Sequence, residues 1–272
     1  MARRLPLWVD RLHREWWRYA LPFAFGPPPK PGTRVGIRSG SCSAVEIGDS
    51  RFILTAAHVL VEALQVLSRE PTQVIAGPLD LTIDPASVNL NEALDIATIP
   101  ITSAQIQAIE RDGKRVIRPG TWPPPEPKIN DGVLLTGYPG SWRLLLSWDE
   151  LDFRAVTLLV LVHSVHDRYF MCHRDPDYSE PVQVDVQEEV PGLDLAGCSG
   201  GPVFLVRNES GELLVPQLCG VISQDRPVGD HILLELARLD ALQTNGNTRT
   251  CCPHVGRDPY GDRGLGRPSE SG

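Results

Sequence analysis

Three short strings in this chain hold residue types that together can carry out acyl chemistry. The first, Phe52-Ile53-Leu54-Thr55-Ala56-Ala57-His58, is an apolar strand running into small residues and ending on an imidazole. The second, Leu94-Asp95-Ile96-Ala97, sets a carboxylate at the mouth of an apolar strand. The third, Gly197-Cys198-Ser199-Gly200-Gly201-Pro202, is a serine in a glycine-rich turn that feeds Val203-Phe204. A serine hydroxyl is a poor nucleophile at neutral pH, so an imidazole must take its proton during attack. That imidazole needs its other nitrogen held by a carboxylate, which fixes the tautomer and stabilises the imidazolium. The developing oxyanion needs backbone N–H donors aimed at one point, and Gly197, Gly200 and Gly201 free the backbone to present them. Taken alone, each string has a plain structural reading: a satisfied core histidine, a strand-end cap and a bulge. Their occurrence together, in the order His58, Asp95, Ser199, points to a nucleophilic site.

The elements that must position these residues are mostly strands. Short apolar runs bounded by turn residues predict strands at Arg34–Arg38, Ala44–Ile47, Phe52–Thr55, Gln73–Ile75, Leu79–Ile83 and Ile96–Ile101. Gln105–Arg111 reads as a short helix. The run Pro119-Gly120-Thr121-Trp122-Pro123-Pro124-Pro125-Glu126-Pro127 is neither helix nor central strand and divides the chain. Beyond it, strands are expected at Val133–Thr136, Leu144–Trp148, Ala155–Val165, Tyr169–Cys172, Val182–Val186, Val203–Val206 and Leu218–Ser223. His231–Leu242 has helical period and is expected to close the domain as a helix. The fold class is therefore all-β: two antiparallel six-stranded barrels, residues 33–118 and 129–242, within one 33–242 unit. Because the proline run falls between Asp95 and Ser199, the site is expected in the cleft between the halves.

The ends differ from this middle. Residues 1–32 read as an amphipathic helix followed by a proline-rich connector, with Leu5, Trp8, Val9, Leu12 and Trp16 on one side. Its arginines outnumber its acids, so it suits either packing on its own domain or contact with a membrane surface or regulatory partner. Residues 243–272 are mostly polar, with little to bury, and are expected to be a disordered tail.

Composition narrows the function classes. The 272 residues carry 26 Lys+Arg against 34 Asp+Glu, a formal net charge of −8. That balance argues against a phosphate-backbone binder, which needs a basic face, and no apolar run approaches the roughly 18 residues of a membrane span. Charged residues break any secretory h-region, so a cytoplasmic, reducing compartment and free thiols are expected for the six cysteines. His163, His166, Cys172 and His173 cluster in sequence and could suggest a metal. Residues three apart in a strand point to opposite faces, however, and no metal site is expected there.

Thr55-Ala56-Ala57-His58 and Gly197-Cys198-Ser199-Gly200-Gly201-Pro202 resemble the two signature motifs of trypsin-like, chymotrypsin-fold serine proteases, and Asp95-Ile96-Ala97 resembles their aspartate motif. The resemblance covers roughly Arg34 to Leu242. It implies a serine endopeptidase acting on protein or peptide substrates through an acyl-enzyme, with no metal or cofactor. It implies Ser199 as nucleophile, His58 as general base then acid, Asp95 as orienting carboxylate, and the N–H groups of Gly197 and Ser199 as the oxyanion hole. Val59 stands where animal digestive members carry a paired cysteine, and Cys198 where they carry an aspartate used in activation. With Gly137-Tyr138-Pro139-Gly140, these departures make the chain more similar to the bacterial intracellular, HtrA-like branch, without a PDZ domain. Viral relatives use a cysteine nucleophile, but they place it where Ser199 stands, so Cys198 is expected to fill the turn. The specificity pocket is expected around Leu193, Asp194 and Ser223: Leu193 at its base favours an apolar residue before the cleaved bond, whereas a one-residue shift to Asp194 would favour Arg or Lys. A site that stays latent until a partner orders it, or a protease-fold interaction module with an unused triad, are the competing outcomes.

Overall fold

Phe23 and Phe25 lie two residues apart, so in an extended chain both point to one face, and they open the core of the first half. Their strand, β1 (Leu21–Gly26), pairs antiparallel with β2 (Arg38–Ile47) on one side and β4 (Gln73–Ala76) on the other. This computed structural model describes residues 15–28, 36–147, 150–174 and 194–238, apart from 207, 210–211, 214–216 and 229–230. β2 changes partner halfway: Arg38–Cys42 pair with β1, and Ser43–Ile47 pair with β3 (Ser50–Thr55). With β5 (Leu79–Asp80), β6 (Asn89–Asn91) and β7 (Ile96–Pro100), these strands form a seven-stranded sheet in the order β5-β4-β1-β2-β3-β7-β6. Helix α1 (Ala57–Leu67) follows β3 and buries Ala57, Val59, Leu60 and Ala63 in the core of the first half. Helix α2 (Ser103–Arg111) follows β7 and starts at a capping box in which Thr102 and Gln105 satisfy each other's backbone N–H groups.

In the second half, β8 (Gly132–Gly137), β11 (Val156–Val165), β12 (Tyr169–Arg174), β13 (Pro202–Val206), β16 (Gln217–Val228) and β17 (His231–Arg238) form a closed barrel. Its order is β11-β12-β17-β16-β13-β8, every neighbour antiparallel. Two small hairpins, β9 (Leu144–Leu145) with β10 (Leu151–Asp152) and β14 (Asn208–Glu209) with β15 (Glu212–Leu213), decorate it. A third buried cluster joins the halves: Val45, Leu54, Leu94 and Ile96 from the first meet Leu134, Phe204, Val221 and Ala237 from the second.

Several expectations need correction. One six-stranded barrel closes; the first half is an open seven-stranded sheet, because among the described residues β5 and β6 at its two edges do not pair with each other. The predicted C-terminal helix is strand β17, since pairing with both β12 and β16 completes the barrel and outweighs the helical period of HILLELAR. The N-terminal helix is described only at its end, where residues 15–16 are helical and Trp17–Tyr19 form a 3₁₀ turn. There Trp16 sets its ring against Phe204, with centroids 4.7 Å apart, so this end packs on the chain's own core. Strand β1 and helix α1 were not anticipated. The expected strand Val182–Val186, Leu193 and the tail lie outside the described residues.

Candidate active site

The three strings meet between the halves. Thr55 ends β3 and Ala56 turns the chain into α1, placing His58 in that helix's first turn with its side chain about half exposed. Ala56 gives the helix no side-chain cap. Asp95 supplies one from a distance: its Oδ1 accepts the backbone N–H of His58 at 3.0 Å, a carboxylate against the positive end of a helix. The same carboxylate holds the imidazole, with Nδ1 3.0 Å from Oδ1 and 2.9 Å from Oδ2. Asp95 occupies the left-handed region at φ 51°, a conformation Asp accepts more readily than most residues. The turn before it is tied by Asn91, whose side-chain oxygen accepts the Leu94 N–H at 3.1 Å.

Ser223, near the middle of β16, donates its hydroxyl to Asp95 Oδ2 at 2.5 Å across the junction. Burial pushes the Asp95 carboxyl upward, but hydrogen bonds from the His58 ring, Ser223 and the His58 backbone outweigh it and hold the group below the ordinary carboxylate range. Ser223 lines the cavity described below, and its hydroxyl serves the carboxylate.

Ser199 lies in a turn whose peptides are individually tied. Gly201 N–H bonds Cys198 O at 2.9 Å, Gly200 N–H bonds Ile222 O at 2.7 Å, and Gly140 N–H bonds Ala196 O at 2.7 Å. A trans peptide points its N–H and C=O in opposite directions. With Ala196 O and Cys198 O so engaged, the N–H groups of Gly197 and Ser199 face the other way, and neither donates to a group among the described residues. Gly197 and Gly200 have φ of 96° and 91°. A side chain at Gly200 would overlap Ser41 O and Thr55 Oγ1, so the turn seats directly on the first half. The Ser199 hydroxyl donates to Ser223 O at 2.9 Å; among the described residues it makes no hydrogen bond to His58.

A cavity of about 600 Å³ opens here, lined by His58, Asp95 and Ser199 with Leu195, Ile222 and Ala237 among its apolar walls. Exposed Glu92 and Arg168 also line it. Asp194 is exposed and ties the Ala196 N–H through Oδ1 at 2.9 Å. Cys198 is fully buried beneath the turn.

The histidine cluster on β11 and β12 does not converge. Cys172 points into the barrel core, where burial raises its thiol. The His166 ring lies tilted against that of Tyr169, and the His163 and His173 ring centroids are 6.4 Å apart. Among the described residues, no three His, Cys, Asp or Glu side chains gather to hold a metal ion. None of the helices among them is long and apolar enough to cross a membrane.

No known family profile and no curated protein matches the chain. Among solved structures, the chain is similar to the protease of tobacco vein mottling virus. The match covers 80% of this chain and 76% of that one, at 9% sequence identity and a TM-score of 0.40.

Proposed function

We propose that the chain is a serine endopeptidase with His58, Asp95 and Ser199 as its triad. The observation that carries this reading is the grip of one carboxylate on both the ring and the backbone of His58, in a cavity that Ser199 also lines. In this reading Ser199 Oγ attacks the substrate carbonyl carbon while His58 Nε2 takes its proton. The N–H groups of Gly197 and Ser199 bind the oxyanion. Collapse of the tetrahedral species breaks the C–N bond, the departing amine takes the proton from His58, and water then releases the acyl group by the same steps in reverse. The apolar Leu195, Ile222 and Ala237 favour an apolar side chain before the cleaved bond. The buried thiols Cys42 and Cys172 suit a reducing compartment such as the cytoplasm.

The Ser199 hydroxyl resting on Ser223 O favours a latent form, in which the side chain must rotate toward His58 before it can react. A partner or substrate that claims Ser223 O would release it. The alternative, an interaction module whose triad never assembles, rests on the same contact. A fluorophosphonate probe applied to the full chain separates these readings. Labelling of Ser199 that disappears in Ser199→Ala supports the protease. An adduct on Cys198, or none under any condition, refutes it.

A further inference from the structure

Ser41 stands on β2 in the first half, yet two of its hydrogen bonds go to the reactive turn of the second. It is fully buried. Its backbone N–H donates to Ser199 O at 2.7 Å. Its hydroxyl donates to Gly197 O at 2.8 Å and accepts the Tyr138 N–H at 2.9 Å. Its own carbonyl accepts the Thr55 hydroxyl at 2.8 Å. Thr55 lies three residues before His58, so a short path of bonds runs from the histidine's strand end to the serine's turn.

The importance of the hydroxyl follows from peptide planarity. The two outward N–H groups belong to the Ala196–Gly197 and Cys198–Ser199 peptides. The peptide between them, Gly197–Cys198, sets their relative angle. Its carbonyl is held by Ser41 Oγ, and its N–H donates to Leu195 O at 2.8 Å. Gly197 has no Cβ and a φ of 96°, so rotation of this peptide is least hindered there. Without the hydroxyl, a single tether remains, and the half-buried Gly197 O and the buried Tyr138 N–H lose their partner.

We propose that Ser41 is a positioning residue for acylation: its hydroxyl latches the Gly197–Cys198 peptide so that the Gly197 and Ser199 N–H groups converge on one oxyanion. The proposal rests on the serine-nucleophile reading. It assigns to the first half a role in building the oxyanion site as well as in holding the base.

Saturation labelling of the full chain with a fluorophosphonate separates the maximal labelling rate constant from the apparent affinity for the probe. Ser41→Ala lowers the rate constant about 10²-fold, the scale of losing one aligned oxyanion donor, and leaves the affinity within about 2-fold. Ser41→Cys, which keeps a weak donor at that position, gives an intermediate rate constant and carries the test where Ser41→Ala fails to fold. Amide hydrogen exchange gives a readout independent of chemistry: Cys198 and Gly200 amides exchange faster in the variant, while Leu134 and Leu135 in the barrel do not. Wild-type labelling at Ser199 with an unchanged rate constant in either variant overturns the role of Ser41 and leaves the protease reading intact. A wild-type adduct away from Ser199 overturns the protease reading. Exchange then still judges the latch, and unchanged exchange at Cys198 and Gly200 overturns it.

Discussion

The two halves present reactive side chains in opposite ways. In the open seven-stranded sheet, His58 and Asp95 sit on a helix start and a tight turn, and side-chain bonds hold them to each other. In the closed barrel, mostly backbone bonds hold the Ser199 turn, tying its peptides to β16, to Gly140, to Ser41 or to one another. In the proposed reading, His58 must change protonation during the reaction, and a carboxylate clasp accommodates that change. In the same reading, the Gly197 and Ser199 N–H groups must not move, and a barrel without free edges frames them. The difference implies that substitutions in the turn act through geometry, whereas those around Asp95 act through charge.

Gly200→Ala tests the geometric side most severely. A methyl there overlaps Ser41 O and Thr55 Oγ1 and must adopt a φ of 91°. Probe labelling of Ser199 should vanish, with a stability loss on the order of 3 kcal/mol in urea denaturation. A variant that labels normally would show that the turn does not depend on its seat against the first half. Asp95→Asn tests the charge side. The amide still tolerates the left-handed backbone and can still accept from the His58 N–H, so the fold should persist while kcat falls about 10⁴-fold. Full activity in this variant would remove Asp95 from the mechanism.

Ser223→Ala sharpens the boundary between the two, because Ser223 belongs to the barrel but serves the carboxylate of the sheet. Losing a hydrogen bond to a charged group should cost about 10-fold in kcat. It also removes one of the contacts holding the Asp95 carboxyl down. The depressed carboxyl contributes stability that is present above its unfolded pKa and is lost as pH falls through the folded value. In the variant the folded value moves upward, so acid unfolding should begin at a higher pH than in the wild type. Coincident acid transitions would show that Ser223 leaves Asp95 unchanged.

That His58, Asp95 and Ser199 gather at one cavity was legible in the sequence because each stands at an end of an apolar strand, His58 just after β3 and Asp95 and Ser199 just before β7 and β13, and short-range patterns mark such places well. Ser223 and Ser41 were not. A serine beside Ile222 and a serine inside Gly40-Ser41-Cys42-Ser43 look like ordinary strand residues until a partner from the other half arrives. The same limit explains the elements. AHVLVEALQVL has apolar residues at both strand and helix spacing, and packing in the core of the first half selects helix α1. HILLELAR is a strand because β12 and β16 wait on either side of it, a fact held far away in the chain. The open first sheet follows from the brevity of β5 and β6, which turn-bounded spacing alone cannot distinguish from strands long enough to close a barrel.

The effect farthest from the site concerns how the halves are joined, and it touches stability and not the chemistry. Lys114, in the connector between them, sets its ammonium over the Trp17 ring at 4.0 Å and donates to the Tyr138 hydroxyl. That hydroxyl in turn donates to Ala20 O at 3.2 Å. One side chain thus ties the N-terminal segment to both halves. Burial pushes its ammonium down to about 7; Asp112 pulls it up and Arg18 pulls it down, and burial prevails. Between that value and the ordinary lysine range near 10.5, the unfolded chain binds a proton that the folded chain does not. Stability therefore rises with pH across this window, by at most about 1.4 kcal/mol per pH unit, and Lys114 adds no slope below it. Lys114→Met keeps the apolar stem and removes the titration. Urea denaturation at pH 6, 8 and 10 should show wild-type stability rising relative to that of the variant from pH 6 to 8 and again from pH 8 to 10. Parallel profiles would mean that Lys114 keeps its ordinary titration in the folded chain and that the junction rests on the apolar cluster around Phe204.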